Sequence, residues 1–237
     1  FGAGNTDNHI ENAALGFNAL YALTTGDYNA AFGYKSLTAN TTGSYNSAFG
    51  RASLYSNTTG TANTGMGEGA LYANTTGSHN TAIANSALRG NTTGDFNTSV
   101  GKASMMLNTT GDNNTAMGVN ALYGNTTGSN NIAIGYYALE DSSTGTNNLA
   151  LGYESLRLNT TASNNAAIGY QAMYSNTTGA NNFASGYQAL YSNTTGSYNS
   201  GLGYEALENN TTGGSNTASG YQAMFTNTTG NYNNAFG

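Results

Sequence analysis

The sequence has no cysteine, no proline and no tryptophan, and charged residues make up only 7% of it. The lack of cysteine excludes a disulfide framework, and the lack of proline fits a chain of ladder strands, where proline would remove a hydrogen-bond donor. Only five lysines and arginines stand against eleven acidic residues, so the chain offers no basic surface to nucleic acid. No apolar run reaches the roughly 18 residues of a membrane span. Residues 1–16 also lack the basic start and apolar core of a secretory signal.

What the chain does have is a repeat of 17 residues. Residues 40–50 read NTTGSYNSAFG, and residues 193–203, nine repeat lengths later, read NTTGSYNSGLG. We write the unit as Y-Q-A-L-Y-S-N-T-T-G-S-Y-N-T-A-F-G and number its residues as positions 1–17. Thirteen units without an insertion cover residues 17–237, and residues 1–16 form an irregular leader in which Phe1 and Gly2 lie three residues out of phase. Such a strict period predicts a solenoid, in which each unit is one coil of a stack.

Several positions of the unit never vary in kind. Position 9 is always threonine, position 4 is always leucine or methionine, and position 3 is always alanine or serine. Because a unit of 17 residues cannot bury its own apolar face, neighbouring coils must do so, and equal positions then lie over one another. Position 13 is always asparagine, and we predict that these residues form a structural ladder: Asn12, Asn29, Asn46, Asn63, Asn80, Asn97, Asn114, Asn131, Asn148, Asn165, Asn182, Asn199, Asn216 and Asn233.

Local signals predict the shape of one coil. Positions 7–10 (N-T-T-G) are typical of a turn, the glycine at position 17 marks a second corner, and positions 13–17 (N-T-A-F-G) predict a short strand. Positions 1–6 have two interpretations: a strand, with positions 3 and 4 on opposite faces, or a short helical turn, with positions 1, 4 and 5 on one face. We expect each coil to bury about two large apolar side chains, which is little against the entropy of ordering 17 residues. That shortfall favours lateral association of chains. The strand interpretation favours it too, because positions 3 and 4 do not vary in kind and would lie on opposite faces, so both faces would need to be buried.

The predicted fold is therefore an all-β repeat protein, a parallel β-solenoid or β-roll of 17-residue coils. The pattern N-x-A-Φ-G-x-x-A/S, where Φ is apolar, is written N-I-A-I-G-Y-Y-A in residues 131–138. It resembles the head repeats of trimeric autotransporter adhesins and related phage or bacterial tail-fibre repeats. The resemblance covers about half of each unit and implies a left-handed β-roll in which three chains pack side by side. The present unit is longer than the units of that family, and its additional letters include N-T-T-G.

The triplet Asn-Thr-Thr fits two hypotheses. It is an acceptor pattern for N-glycosylation. We favour the other hypothesis, a ladder of asparagine amides that hydrogen-bond from coil to coil, because turn chemistry already explains asparagine at position 7. O-linked glycosylation is a further option, because we expect the threonines at position 8, such as Thr41 and Thr58, to be exposed. The candidate N-glycosylation residues are Asn40, Asn57, Asn74, Asn91, Asn108, Asn125, Asn159, Asn176, Asn193, Asn210 and Asn227.

Other residue types give weaker signals. The repeated threonines suggest ice binding as an alternative function. However, adjacent threonines in a strand point to opposite faces, so each face would carry only one row of threonines. We expect the tyrosines at position 1 to stack and to clad the coils, with weak glycan binding as an alternative. The two histidines and the scattered acids, such as Asp95 and Asp112, are not arranged as a catalytic or metal-binding set. We therefore predict no catalytic residues, no cofactor and no metal, with the acids on a solvated surface.

These observations predict a structural protein that forms a stiff extracellular or cell-surface fibre, such as an adhesin head or stalk. Its expected partner is itself, in a lateral trimer, an end-to-end filament or both, with surface glycans as a further partner and with neither nucleic acid nor a membrane span. The pattern continues to both ends of the chain, as in a segment cut from a longer protein. The alternative is a ligand-binding solenoid that recognises ice or glycans through a repeated threonine or tyrosine face.

Overall fold

The computed structural model describes residues 11–237; residues 1–10, which make up most of the predicted leader, lie outside the described residues. The chain divides into two compact structural units, with the boundary between Ala116 and Met117. Below, the first unit and the second unit are these two parts of the chain, and not 17-residue repeats. Each unit is a parallel β-solenoid with coils of 17 residues, which confirms the predicted fold class. Residues 11–237 contain no helix, so the helical turn considered for positions 1–6 is absent from all thirteen 17-residue repeats.

Every coil contributes one strand of three residues, formed by positions 14–16. The strands are β1 (Ala13–Leu15), β2 (Ala30–Phe32), β3 (Ser47–Phe49), β4 (Thr64–Met66), β5 (Thr81–Ile83), β6 (Thr98–Val100), β7 (Thr115–Met117), β8 (Ile132–Ile134), β9 (Leu149–Leu151), β10 (Ala166–Ile168), β11 (Phe183–Ser185), β12 (Ser200–Leu202), β13 (Thr217–Ser219) and β14 (Asn234–Phe236).

Strands pair in parallel with their sequence neighbours, and equal positions face each other. In the first unit, β1 to β6 pair in chain order; in the second unit, β8 to β14 do the same. Ala31 of β2, for example, lies opposite Ala48 of β3. The strand of the leader, β1, already follows this register.

The interior of each coil holds one large apolar side chain, at position 4. The fully buried members of this column are Leu20, Leu37, Leu54, Leu71, Leu88, Met105, Leu122, Leu139, Leu156, Met173, Leu190 and Leu207. Small residues at positions 3 and 15, such as Ala70 and Ala82, are also fully buried. The expectation of about two buried large side chains per coil was wrong: the bulky residue at position 16 points outward, because strand residues alternate and the small residue at position 15 points inward.

Positions 1–6 form a turn segment in which the handedness of the backbone alternates. Position 2 and position 4 have positive φ in every coil, as at Ala52 (54°) and Leu54 (52°). The N–H of Ala52 donates to Tyr34 O in the preceding coil at 2.8 Å, whereas the N–H of Leu54 donates to Ala70 O in the following coil at 2.9 Å. These bonds offset the steric cost of left-handed non-glycine residues. Positions 3 and 4 consequently both face the interior. The strand interpretation of positions 1–6, which placed these two positions on opposite faces, was therefore wrong.

Both the backbone conformation and the close neighbouring coil favour glycine at position 17, which only Ala84, with φ 113°, replaces among residues 11–237. Gly33 has φ 143°, and a Cβ there would lie 2.5 Å from Gly50 O in the next coil. The position-17 glycines of neighbouring coils are therefore in close backbone contact, and they form the tight corner that the sequence predicts.

Candidate functional site

The outer face of the sheet carries no charge; its position 16 is apolar except at Ser185 and Ser219, whereas its position 14 is serine, threonine or asparagine in eight of the fourteen strands. Positions 14 and 16 point away from the coil interior, and no residue at either position is charged in any of the fourteen strands. We call the side chains at position 16 the outer apolar column. In the first unit its members are Leu15, Phe32, Phe49, Met66, Ile83 and Val100; in the second they include Ile134, Leu151, Ile168, Leu202 and Phe236.

The outer apolar column is substantially exposed in spite of its stacking. Phe32 and Phe49 stack with their ring centroids 5.1 Å apart, yet 36% and 38% of their surfaces stay accessible. Met66 and Ile83 continue the column at 42% and 38%. Exposed apolar surface that continues over several coils marks an interaction site more often than an ordinary surface.

A second column, of aromatic residues at position 1, follows the position-17 corner. In the second unit, the predicted tyrosine stack is confirmed: Tyr153, Tyr170, Tyr187, Tyr204 and Tyr221 have neighbouring ring centroids 5.1–5.2 Å apart. Stacking shields these phenols. Partial burial, followed by the charge of Glu154, raises the pKa of Tyr153, and a hydrogen bond with Glu205, followed by partial burial, raises the pKa of Tyr204.

The asparagines at positions 7 and 13 converge on the carbonyl group of the glycine at position 10. Gly60 O accepts from Asn57 Nδ2 of its own coil at 3.0 Å and from Asn46 Nδ2 of the preceding coil at 2.9 Å. Asn57 Nδ2 also donates to Asn40 Oδ1 at 2.8 Å, and the backbone N–H of Asn63 donates to Asn46 Oδ1 at 3.0 Å. These buried amides connect each coil to the next through side chains as well as through the backbone.

This network decides where the candidate N-glycosylation residues lie. Ten of them, from Asn40 to Asn210, are fully buried, and Asn227 is half-buried. An N-linked sugar is attached at Nδ2, the atom that donates to the glycine or alanine carbonyl at position 10, as in Asn193 to Gly196 O at 2.9 Å. The folded coil therefore has no room for a sugar at these asparagines.

The two threonines of N-T-T-G lie in different environments. At position 8 the hydroxyl is engaged, as in Thr58 Oγ1, which donates to Thr75 O at 3.0 Å, and Thr41 is half-buried. The proposal of exposed hydroxyls at position 8 was wrong. The exposed row is at position 9: Thr25, Thr42, Thr59, Thr76, Thr93, Thr110, Thr127, Thr144, Thr161, Thr178, Thr195, Thr212 and Thr229.

Acidic residues act mainly as structural acceptors. Asp95 Oδ1 accepts the backbone N–H of Ser78, and Asp112 Oδ1 accepts that of Asp95, both at 2.7 Å, so these two acids are part of a ladder at position 11 and not simply solvated. Within residues 11–237, no three side chains of histidine, aspartate or glutamate form a group that could hold a metal ion. Nothing between Glu11 and Gly237 forms a helix of the length and hydropathy that a membrane crossing requires.

Comparison of the chain with protein-family models, with curated proteins and with solved structures finds no significant match.

Proposed function

We propose that the chain is a structural protein that associates laterally with copies of itself, through the outer apolar column, to form a stiff extracellular fibre. The observation that supports this most is the outer apolar column, which is free of charge and more than one-third exposed at Phe32, Phe49, Met66 and Ile83. Charged residues are depleted at the buried centres of interfaces and aromatic residues are enriched there. Burial of this column would also add the apolar contact that each coil lacks.

A second copy is the partner whose geometry fits this face. Its apolar side chains recur at the same spacing along the strand-pairing direction, about 4.8 Å, so two columns can interdigitate over many coils. Three chains around one axis is the arrangement that the resemblance to trimeric adhesin heads implies. The extracellular or cell-surface location and a role in adhesion belong to the same proposal.

The ladders within each unit support the mechanical part of the proposal. Every coil is joined to its neighbours by strand pairing, by backbone bonds of positions 1–6 and by the asparagine side chains. Opening one coil exposes buried amides on both sides of it, which is costly. A stack of such coils resists bending and local opening.

Sedimentation velocity of the full chain tests the proposal, followed by electron microscopy of the same material. We expect a trimer or larger assembly at low micromolar concentration and elongated particles in the images. Monomers alone, up to about 100 µM, would contradict self-association, because even a weak specific interface is populated at that concentration.

Ice binding has less support than the fibre. The exposed threonines at position 9 form one row, because the hydroxyls of the adjacent position 8 are bonded to the next coil. A flat face that orders water needs at least a second row of hydroxyls beside the first. An ice-recrystallisation assay separates the two functions, and activity that is lost when Thr59, Thr76 and Thr93 are changed to tyrosine would favour ice binding.

A further inference from the structure

In the first unit, positions 1 and 2 depart together from the usual pattern in four consecutive coils, which begin with Arg51-Ala52, Glu68-Gly69, Asn85-Ser86 and Lys102-Ala103. Position 1, which is aromatic in most coils, is Arg51 in one coil and Glu68 in the next. Position 2, which is usually a longer polar residue, is Ala52 and Gly69 in the same two coils. In these coils, charged residues replace the aromatic residues of position 1, and small residues replace the longer side chains of position 2. A cavity of about 270 Å³ lies at this place.

The cavity lies between two columns of side chains. One wall is formed at position 1 by Tyr34, Arg51 and Glu68, and the other at position 5 by Tyr55, Tyr72 and Arg89. Ala52 and Gly69 form the floor, and Lys35 completes the lining. Tyr55 and Tyr72 stack with their centroids 5.1 Å apart, which fixes the second wall.

Cations gather in this cavity although the chain as a whole has a formal charge of −6. Arg51 and Glu68 form an ion pair on the rim. The Arg89 guanidinium lies 4.7 Å from the ring centroid of Tyr72, and Lys35 Nζ lies 5.4 Å from that of Tyr34. Within residues 11–237, neither Arg89 nor Lys35 forms an ion pair with a carboxylate.

The second unit shows what this segment looks like when it is closed. There Arg157, at the same position of the coil as Arg89, binds the carboxylates of both Glu140 and Glu154, at 2.8 and 2.7 Å. Gln171 and Gln188 fill position 2 and hydrogen-bond to each other at 2.9 Å. The arginine of the first unit thus lacks the carboxylates that neutralise its counterpart.

Gly69 provides the space that Arg89 occupies. Its φ is 64°, and a Cβ at this residue would lie 2.8 Å from Arg89 Nη1. A glutamine at this position, as in the second unit, would fill the cavity and displace the guanidinium.

We propose that this cavity binds a sugar that carries a carboxylate. Arg89 lacks the protein carboxylates that pair with Arg157, and the carboxylate of the ligand would take their place. Arginine is well suited to bind a carboxylate with two hydrogen bonds. Lys35, three coils away in the same lining, adds to the positive charge of the cavity. Glu68 and the three tyrosine hydroxyls supply acceptors and donors for sugar hydroxyls. The Glu68 carboxylate repels a doubly charged group such as phosphate more strongly than a single carboxylate. At about 270 Å³, the cavity is slightly smaller than the usual range of ligand sites, about 300–1,000 Å³, which limits the ligand to about one sugar ring.

This site lies on positions 1, 2 and 5 of the coil and uses none of the outer apolar column, so it does not depend on the proposed self-association. A failure of lateral assembly in sedimentation leaves the sugar site intact, and the reverse also holds.

The test is isothermal titration, with saturation-transfer NMR, of the full chain against glucuronic acid and N-acetylneuraminic acid. We expect dissociation constants in the millimolar range for at least one of them, weakening as salt screens the cations. Binding by only one acid identifies the source of the carboxylated sugar. Methyl glucoside, the neutral comparison, and inorganic phosphate should each bind at least about tenfold more weakly.

Two variants and their matched controls locate the site. Arg89→Gln should weaken binding by about tenfold or more, whereas Lys102→Gln makes the same change of charge outside the cavity and should have no effect. Gly69→Gln should abolish binding. The control Ala103→Gln, which installs the same residue at the same coil position two coils later, should leave binding unchanged. The proposal is overturned if neither acid binds, if methyl glucoside or phosphate binds as well as the acids, or if Arg89→Gln and Gly69→Gln bind like their controls.

Discussion

The side-chain amide of Asn57 donates to Oδ1 of Asn40, one coil earlier, at 2.8 Å. The same relationship connects Asn74 to Asn57 at 2.7 Å. Asn57 is therefore both a donor and an acceptor in this ladder, and Asn40, Asn57 and Asn74 are all fully buried. Because these side chains are fully buried, removal of Asn57 would take one hydrogen bond from each of its two neighbours, Asn40 and Asn74, with no water to replace it.

Replacement of Asn57 by alanine should destabilise the first unit strongly. Asn57→Ala removes the donor to Asn40 Oδ1 and the acceptor for one N–H of Asn74 Nδ2, and it removes one of the two donors to Gly60 O, which keeps its bond from Asn46 Nδ2. Unsatisfied buried groups cost about 1–3 kcal/mol each, so we expect a loss of about 3 kcal/mol or more in urea denaturation. The matched control Asn85→Ala changes an exposed asparagine and should stay within about 0.5 kcal/mol. Equal effects of the two variants would contradict a structural role for the ladder.

Replacement of Ser142 by asparagine should stabilise the second unit. Ser142 stands at position 7, where the neighbouring coils have asparagine, and within residues 11–237 its buried hydroxyl has no hydrogen-bond partner. Asparagine here can donate to Gly145 O and accept from Asn159 Nδ2, as in the other coils. We expect Ser142→Asn to raise the free energy of unfolding by about 1 kcal/mol.

The control for Ser142→Asn is Asp141→Asn, which installs asparagine at the exposed neighbouring residue. It should leave the free energy of unfolding nearly unchanged. A decrease on Ser142→Asn would show that this coil differs in shape from the others and cannot accept the ladder.

The two apolar columns should respond differently to truncation. Leu88 at position 4 is fully buried, whereas Ile83 at position 16 is 38% exposed. Leu88→Ala should therefore cost about 2–5 kcal/mol through lost contacts and a cavity, and Ile83→Ala about 1 kcal/mol or less. Thermal and denaturant unfolding at a concentration where the chain is monomeric measures both. A larger loss at Ile83 than at Leu88 would show that the outer column is buried in the unit studied.

Much of the fold is predictable from the sequence because the period is strict. An unbroken 17-residue repeat allows only stacked coils, and N-T-A-F-G placed the strand within a residue of positions 14–16. The outward direction of position 16 follows from the small residue at position 15, which only an interior position requires. Sequence reasoning overlooked this signal when it counted about two buried side chains per coil.

The turn segment and the cavity were not predictable in the same way. Leucine with positive φ, as at Leu54, has no recognisable sequence signature, because leucine prefers other conformations and only the hydrogen bonds of adjacent coils hold it there. The cavity did have a signal: Arg51-Ala52 and Glu68-Gly69 break the pattern in consecutive coils. Read one residue at a time, these changes resemble ordinary drift at the surface.

Stability should fall at alkaline pH because of the tyrosine column of the second unit. The pKa values of Tyr136, Tyr153 and Tyr204 are raised above 10.0 in the folded chain, so folding favours the neutral phenols. This contribution is fully present below the unfolded pKa of about 10, and it is lost as the pH rises through the higher folded pKa values. We expect the melting temperature to decrease as the pH rises above about 10.

The control for the alkaline transition is the double variant Tyr153→Phe/Tyr204→Phe, which keeps the stacked rings and removes two titrating groups. Its melting temperature should decrease less over the same pH range. An identical decrease would assign the pH effect to other groups of the chain.

Serine in the outer apolar column should weaken self-association without unfolding the coil. The repeat itself has serine at position 16 in Ser185 and Ser219, so the backbone accepts this change. Phe32→Ser/Phe49→Ser removes two stacked rings that are more than one-third exposed, and each ring buried in an interface contributes about 1.5–3 kcal/mol. Sedimentation velocity should therefore show a dissociation constant raised by at least about tenfold. Tyr28→Ser/Tyr45→Ser removes another stacked pair, with centroids 5.0 Å apart at position 12, and should leave assembly unchanged. If both double variants assemble like the parent chain, the copies meet through a different face of the coil.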